Sequence, residues 1–236
     1  MSIKILHLFH DLMNMYGDYG NVRMLKKALD DMGLAAEVDE KSVGDKLFAS
    51  DYDFIYCGAG TELKRNKALE TLRAEKDALQ SSIEAGTRIL FTGNSWEMLG
   101  KTLLTVDGDK ADGLDIFGYE TAESDTRVTG DVIAYADFLD KPVCGFVNKC
   151  GSVSDVRTPL FGKLSMGPGN SVADKSEGFH YKNFYGTELI GPVLVKNPHF
   201  MRHILKALAG DRYREIYHES AEKAYEVTIN ALSERL

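Results

Sequence analysis

The residues best placed to do chemistry lie in Arg88-Ile-Leu-Phe-Thr-Gly-Asn-Ser-Trp-Glu-Met-Leu-Gly100. Arg88–Thr92 is rich in β-formers, Gly93-Asn94-Ser95 has turn chemistry, and residues 96–99 suit the start of a helix. Strand, tight turn and helix is how an α/β enzyme holds a nucleophile at a strand's carboxyl end. The N–H groups that open the helix then face a developing oxyanion. Such a site needs Cys or Ser at the turn. Ser95 supplies a hydroxyl, but Gly93-Asn-Ser-Trp-Glu97 lacks the second glycine of G-x-S-x-G, which makes a serine hydrolase the weaker reading.

The other reactive side chains give thinner signals. Cys57, Cys144 and Cys150 are odd in number and without C-x-x-C spacing, which fits a reducing compartment, the cytoplasm. Cys57 reads as a buried strand residue and Cys150 as an incidental cysteine rather than a displaced thiol. His7 and His10 are three apart, and His199 and His203 are four apart on a helix without the acid of H-E-x-x-H, so no metal site is expected. His180 reads as a surface or packing residue, and no cofactor is implied.

Those residues need a scaffold, and 236 residues with 44% hydrophobic and 27% charged side chains suffice for a single α/β domain over 1–236. A formal net charge of −8 without a basic tract argues against a nucleic-acid surface. Residues 3–9 read as a buried strand, too short and too broken by Lys4 and His7 for a signal peptide, and no later segment matches a membrane span. Val22, Leu25, Leu29 and Met32 predict a helix capped by Asn21 and stopped by Gly33.

Residues 35–38 and 52–57 predict the next strands. The second of these runs into Gly58-Ala-Gly60, which either brings main-chain N–H groups to a ligand or merely turns the chain. Residues 66–85 predict one long helix with Leu69, Leu72, Leu79 and Ile83 inward. Beyond Gly100, β-rich runs including 132–135 and 143–148 predict strands packed at one end of the sheet, and helices over 200–208 and about 213–232 close the chain.

Four stretches share a resemblance. The elbow resembles the Cys-Gly-Gly-Tyr-Gln-Leu-Leu-Gly turn of class I glutamine amidotransferases of the CobB/CobQ-like group. Residues 11–21, Asp-Leu-Met-Asn-Met-Tyr-Gly-Asp-Tyr-Gly-Asn, resemble Asp-Leu-Leu-Asn-Leu-Tyr-Gly-Asp-Arg-Gly-Asn of one branch, the glutaminase subunits of lipid II isoglutaminyl synthase. Residues 145–151, Gly-Phe-Val-Asn-Lys-Cys-Gly, are similar to Gly-Phe-Glu-Asn-His-Gly-Gly, with Val147, Lys149 and Cys150 departing. Residues 186–198, Gly-Thr-Glu-Leu-Ile-Gly-Pro-Val-Leu-Val-Lys-Asn-Pro, are similar to Gly-Thr-Tyr-Leu-His-Gly-Pro-Leu-Leu-Pro-Lys-Asn-Pro. Phe161-Gly-Lys163, Gly167-x-Gly169-Asn170 and Glu177-Gly178-x-x-Tyr181-Lys-Asn183 track the branch in the same order, so the resemblance spans residues 3–208.

The resemblance implies a three-layer α/β sandwich with a mostly parallel central sheet. It puts Gly93 where the nucleophilic cysteine belongs and Ile190 where the catalytic histidine belongs, so the thiolate attack and proton shuttle of glutamine hydrolysis are both missing. Arg127, before Val-Thr-Gly130, is similar to an arginine that meets glutamine's carboxylate, although a surface salt bridge accounts for it equally well. Backbone donors at Gly58, Ala59 and Asn94 would serve glutamine or a similar small molecule. The implied partner is a Mur-ligase-like ATP-dependent amide ligase subunit in cell-wall amidation or a related pathway. The rival readings are an amidotransferase or hydrolase with a relocated nucleophile, Ser95 or Cys150, and a plain small-ligand-binding protein.

Overall fold

The computed structural model describes residues 2–48 and 51–236. Its centre is a six-stranded sheet of β1 (Ile3–Leu8), β2 (Ala36–Lys41), β3 (Phe54–Cys57), β4 (Arg88–Thr92), β10 (Phe179–Tyr181) and β11 (Phe184–Thr187). The strand order is β10-β11-β4-β3-β1-β2, and every neighbouring pair is parallel except the β10–β11 hairpin. Strands covered on both faces read as continuous apolar runs, as β3 does with all four residues buried.

Alternation then decides which face each side chain joins. Ile3 and Ile5 pack under α1 (Tyr19–Asp31) and α5 (Pro198–Ala209). Leu6 and Leu8 pack with Leu69 and Leu72 of α2 (Glu62–Arg73) and Leu79 and Ile83 of α3 (Lys76–Glu84). Helices on both faces of a parallel sheet are the layering the resemblance implied.

Several local expectations are corrected. Asn21 does not cap α1 but sits in its first turn, fully buried; its amide donates to the Tyr56 hydroxyl at 2.8 Å and its Oδ1 accepts the Leu194 N–H at 2.9 Å. The helix expected over 66–85 is two helices. Thr61 caps the first, its hydroxyl accepting the Lys64 N–H, and the break falls at 74–75. The run after the elbow does not restart as a full helix: Gly93–Leu99 is a short 3-10 turn. At Gly100 a Cβ would stand 2.7 Å from the Tyr119 ring, and the chain turns there into another strand.

That strand belongs to a second sheet rather than to one end of the first. It holds β5 (Thr102–Leu104), β6 (Lys110–Asp112), β7 (Glu120–Tyr135), β8 (Val143–Ser154), β9 (Lys163–Met166) and β12 (Leu189–Ile190). The antiparallel β7–β8 ladder dominates it, with a register shift between Glu123 and Val128. The short helix α4 (Val193–Lys196) leads into α5, and α6 (Glu219–Ser233) covers the second sheet through Tyr225 and Leu232. Among the described residues no helix is long and apolar enough to cross a membrane.

Candidate functional site

The chain goes from β1 to β2 on one side and then to β3 on the other, so the sheet has its switch point between β1 and β3. A doubly wound sheet opens its ligand crevice at the carboxyl ends of the strands that flank such a point. A cleft lies there, lined by Met15 and Tyr16 after β1, Ala59 and Gly60 after β3, and Gly93 and Asn94 after β4. The second sheet supplies the opposite wall with Arg127, Asn148, Lys149, Cys150, Glu188 and Ile190. It is a narrow slot of about 80 Å³, below the roughly 300–1,000 Å³ of ordinary small-molecule sites.

The elbow keeps the geometry of a nucleophile turn without its side chain. Thr92 is extended and Gly93 follows at φ +59°, a left-handed conformation that disfavours any residue with a Cβ. A Cβ on Gly93 would stand 2.5 Å from the Ala59 Cβ and 3.3 Å from Cγ2 of Ile190. The two positions singled out in the sequence, 97 residues apart, thus face one another, with Ala59 filling the gap.

Ser95 is fully buried and points away from this slot, its hydroxyl donating to the Thr92 and Cys57 carbonyls at 2.8 and 3.1 Å. Cys57 is buried in β3, and burial pushes its thiol far up. Cys150 does line the slot and is half-buried. Among the described residues lining it there is no histidine. His199 packs against Tyr225, His203 meets the Tyr185 hydroxyl at 3.0 Å, and His180 stacks on Tyr185.

The glycine-rich loop differs from expectation in its free donors. The Ala59 N–H donates to Asp18 Oδ2 at 2.8 Å, and the Gly60 N–H to Asn94 Oδ1 at 3.1 Å. Asn94 returns a bond from its amide to the Gly60 carbonyl at 2.9 Å, so its side chain clamps the two loops together. Gly58 lies behind the lining, where a Cβ would meet the Met13 carbonyl at 2.5 Å and Asp18 at 2.8 Å. Asp18 is itself buried, and burial raises its carboxyl to about 7 against the pull of the Ala59 N–H. Arg127 sits at the exposed mouth and donates to Asn148 Oδ1 at 2.7 Å, while Asn148 donates to the Tyr16 hydroxyl at 3.1 Å.

Composition and spacing gave no sign of the charge beneath the slot. Arg65, 2% exposed, reaches from α2 to pair with Glu97 of the elbow and Glu123 of β7. Lys149 is buried with its ammonium on the Gly169 and Asn170 carbonyls, both at 2.9 Å. Burial raises the Glu97 and Glu188 carboxyls, and Glu188 adds to the rise at Glu97. The one available signal was the charged type itself: Glu97, Lys149 and Glu188 stand where the resembling motifs carry Gln, His and Tyr.

Comparison with known proteins agrees with this architecture. Residues 4–198 match the CobB/CobQ-like glutamine amidotransferase domain. The chain is 29% identical over 215 residues to the GatD subunit of lipid II isoglutaminyl synthase (glutamine-hydrolyzing) of Streptococcus pneumoniae, covering 90% of this chain and 82% of that one. It is 31% identical over 206 residues to the corresponding subunit of Staphylococcus aureus, covering 87% and 84%. A glutamine amidotransferase crystal structure from Thermotoga maritima superposes with a TM-score of 0.55 at 13% identity, covering 96% of this chain and 93% of that one. A second glutamine amidotransferase structure gives 0.51 at 15% identity, with 86% and 98% covered. The sheet order, the elbow over the switch point and a family match across most of the chain together make this protein a member of the CobB/CobQ-like glutamine amidotransferase family.

Proposed function

We infer that the chain is an amidotransferase-type subunit of the lipid II isoglutaminyl synthase kind that does not itself hydrolyse glutamine. Its partner is a Mur-ligase-like ATP-dependent amide ligase, and its place is the cytoplasm. The observation that carries this reading is the meeting of Gly93 and Ile190 across a gap that Ala59 fills. Glutamine hydrolysis by this fold needs a thiolate to attack the side-chain amide and an imidazole to move the proton. Neither group is present at the elbow, and the N–H of Ala59 is bonded to Asp18. The relatives named above are subunits of a glutamine-hydrolyzing synthase, which supports a role in complex.

The test has two arms. The purified chain, alone and with a co-expressed ligase from the same cell, is expected to release no ammonia from glutamine and to co-elute with the ligase. Steady ammonia release, or recovery of monomer alone, sinks the reading. Cys150 in the slot motivates a second reading, a relocated nucleophile; it would require glutamine turnover that Cys150→Ala abolishes. Binding of glutamine or a like molecule at Arg127 and Asn94 without turnover would show as a ligand-dependent melting shift.

A further inference from the structure

The mouth of the slot is crossed by the chain's own side chains. Tyr16 reaches it from the loop after β1, and its hydroxyl accepts the Asn148 amide at 3.1 Å. Oδ1 of the same Asn148 accepts the Arg127 guanidinium at 2.7 Å. These three residues run from the wall built by the central sheet to the wall built by the β7–β8 ladder, so together they bridge the opening. Arg127, which the resemblance gives to glutamine's carboxylate, is here turned to a neutral amide.

Tyr16 is held in this position by an unfavourable backbone. Its φ of +62° and ψ of +17° lie in the left-handed region, rare for an aromatic residue, and Gly17 follows at φ +75°. Strain of this kind persists only where the surroundings hold it, and it collects at ligand clamps and switches. The ends of the turn are fixed: the Met15 N–H donates to the Ala59 carbonyl at 3.0 Å, and the Tyr19 N–H to Asn14 Oδ1 at 2.8 Å. The tip between them has room to turn, since a Cβ on Gly17 would meet nothing within 4 Å and Tyr16 is 43% exposed. A neutral, half-exposed hydrogen bond is a weak latch, of the same order as the strain it opposes.

Cys150 reports on what lies behind. It shares a face of β8 with Asn148, two residues before it, and lines the slot half-buried. Cys57 and Cys144 are buried, so Cys150 is the thiol a reagent reaches first.

We propose that Tyr16 and Asn148 form a strap that holds the slot shut in the resting chain, swings open without unfolding, and must be displaced by any molecule that enters. The idea rests on the reading of the slot as a ligand cleft, and it adds that the cleft is closed by an internal contact. In the open arrangement Tyr16 leaves Asn148 and relaxes out of the left-handed region, and Arg127 is freed.

The rate at which iodoacetamide alkylates Cys150 in the full chain, read by mass spectrometry, tests the strap. Tyr16→Phe removes the latch and keeps the ring, so the rate is expected to rise roughly three- to tenfold, the equivalent of one neutral hydrogen bond. Asn148→Ala removes both bonds and should raise it at least as far. Each rate is followed as a function of pH: opening lifts the plateau reached by the fully ionised thiol and leaves the midpoint in place, whereas a change in the thiol's own acidity moves the midpoint. The urea midpoint of Tyr16→Phe is expected to stay near the parent's, as for a surface substitution, which separates local opening from unfolding. The experiment needs no ligand, so it stands apart from the melting test of glutamine binding given above. A Tyr16→Phe rate equal to the parent's, a faster rate that comes only with a moved midpoint or a matching loss of stability, or a parent Cys150 that reacts as fast as free cysteine overturns the proposal.

Discussion

At the residue scale the elbow turns on three residues, the bare backbone of Gly93 and the side chains of Ala59 and Ile190 that close over it. Gly93→Cys forces a Cβ into left-handed φ and to within 2.5 Å of the Ala59 Cβ, so we expect it to lose roughly 2–4 kcal/mol of stability. Adding Ala59→Gly should recover the steric part, visible as a partial return of the urea midpoint. Adding Ile190→His as well should place an imidazole against the new thiol, which would then react with iodoacetamide faster than Cys150 does. A thiol that stays as slow as Cys150, or a single variant as stable as the parent, contradicts this geometry.

Glu177 makes a second residue-scale case. It is fully buried, accepts the Glu188 N–H at 2.6 Å and the Thr187 hydroxyl at 2.8 Å, and burial raises its carboxyl to about 7 despite those bonds. The folded chain therefore keeps a proton that the unfolded chain sheds above about pH 4.5. This group's contribution falls as pH rises from about 4.5 and is fully lost above about 7. His7 and His199, each lowered to about 4, act oppositely below about pH 6.5, so the comparison must be made against a variant. Glu177→Gln mimics the protonated acid and should gain on the parent by roughly 1–3 kcal/mol between pH 4.5 and pH 8. Equal urea-midpoint differences at the two pH values would refute the shift.

At the scale of elements, Arg65 binds three of them: α2, which carries it, the 3-10 turn through Glu97, and β7 through Glu123. Such a triad is weak evidence for net stability, but removing one member strands the others in a dry interior at about 3–5 kcal/mol. Arg65→Met should lower Tm by on the order of 10 °C. Glu97→Gln with Glu123→Gln in the same chain should recover part of that loss, since no bare carboxylate then remains. A surface-like change of a degree or two would mean that water reaches the triad.

The elements also show what the sequence could carry. The runs of β1, β3 and β4 and the stripe of α1 were legible because a doubly covered strand and an amphipathic helix have distinct periods. The break at 74–75 was not legible: Leu72 and Leu79 lie seven apart and share a stripe whether or not the intervening turn is helical. Asn21 looked like a cap because Asn favours that position. Its real place is set by Tyr56 and Leu194, 35 and 173 residues away, which no local rule sees.

The whole molecule is two sheets that meet at the slot. The chain leaves the central sheet at the end of β11, passes through the buried Glu188, and joins the second sheet as β12, where Ile190 pairs with Phe146. The resemblance named residues on both walls of the slot, but only the three-dimensional course of the β7–β8 ladder shows that Arg127, Asn148 and Cys150 close it. The single tryptophan reports on this junction. Trp96 is fully buried, its ring 5.0 Å from that of Tyr119, with Gly186 of β11 so near that a Cβ there would stand 2.9 Å from its own. If the two sheets unfold as one unit, Trp96 emission and far-ultraviolet circular dichroism should trace one coincident urea transition. A red shift of the tryptophan that precedes the loss of secondary structure would instead mean that the sheets part at the slot before either melts, and the 236 residues would then be two cooperative units rather than one.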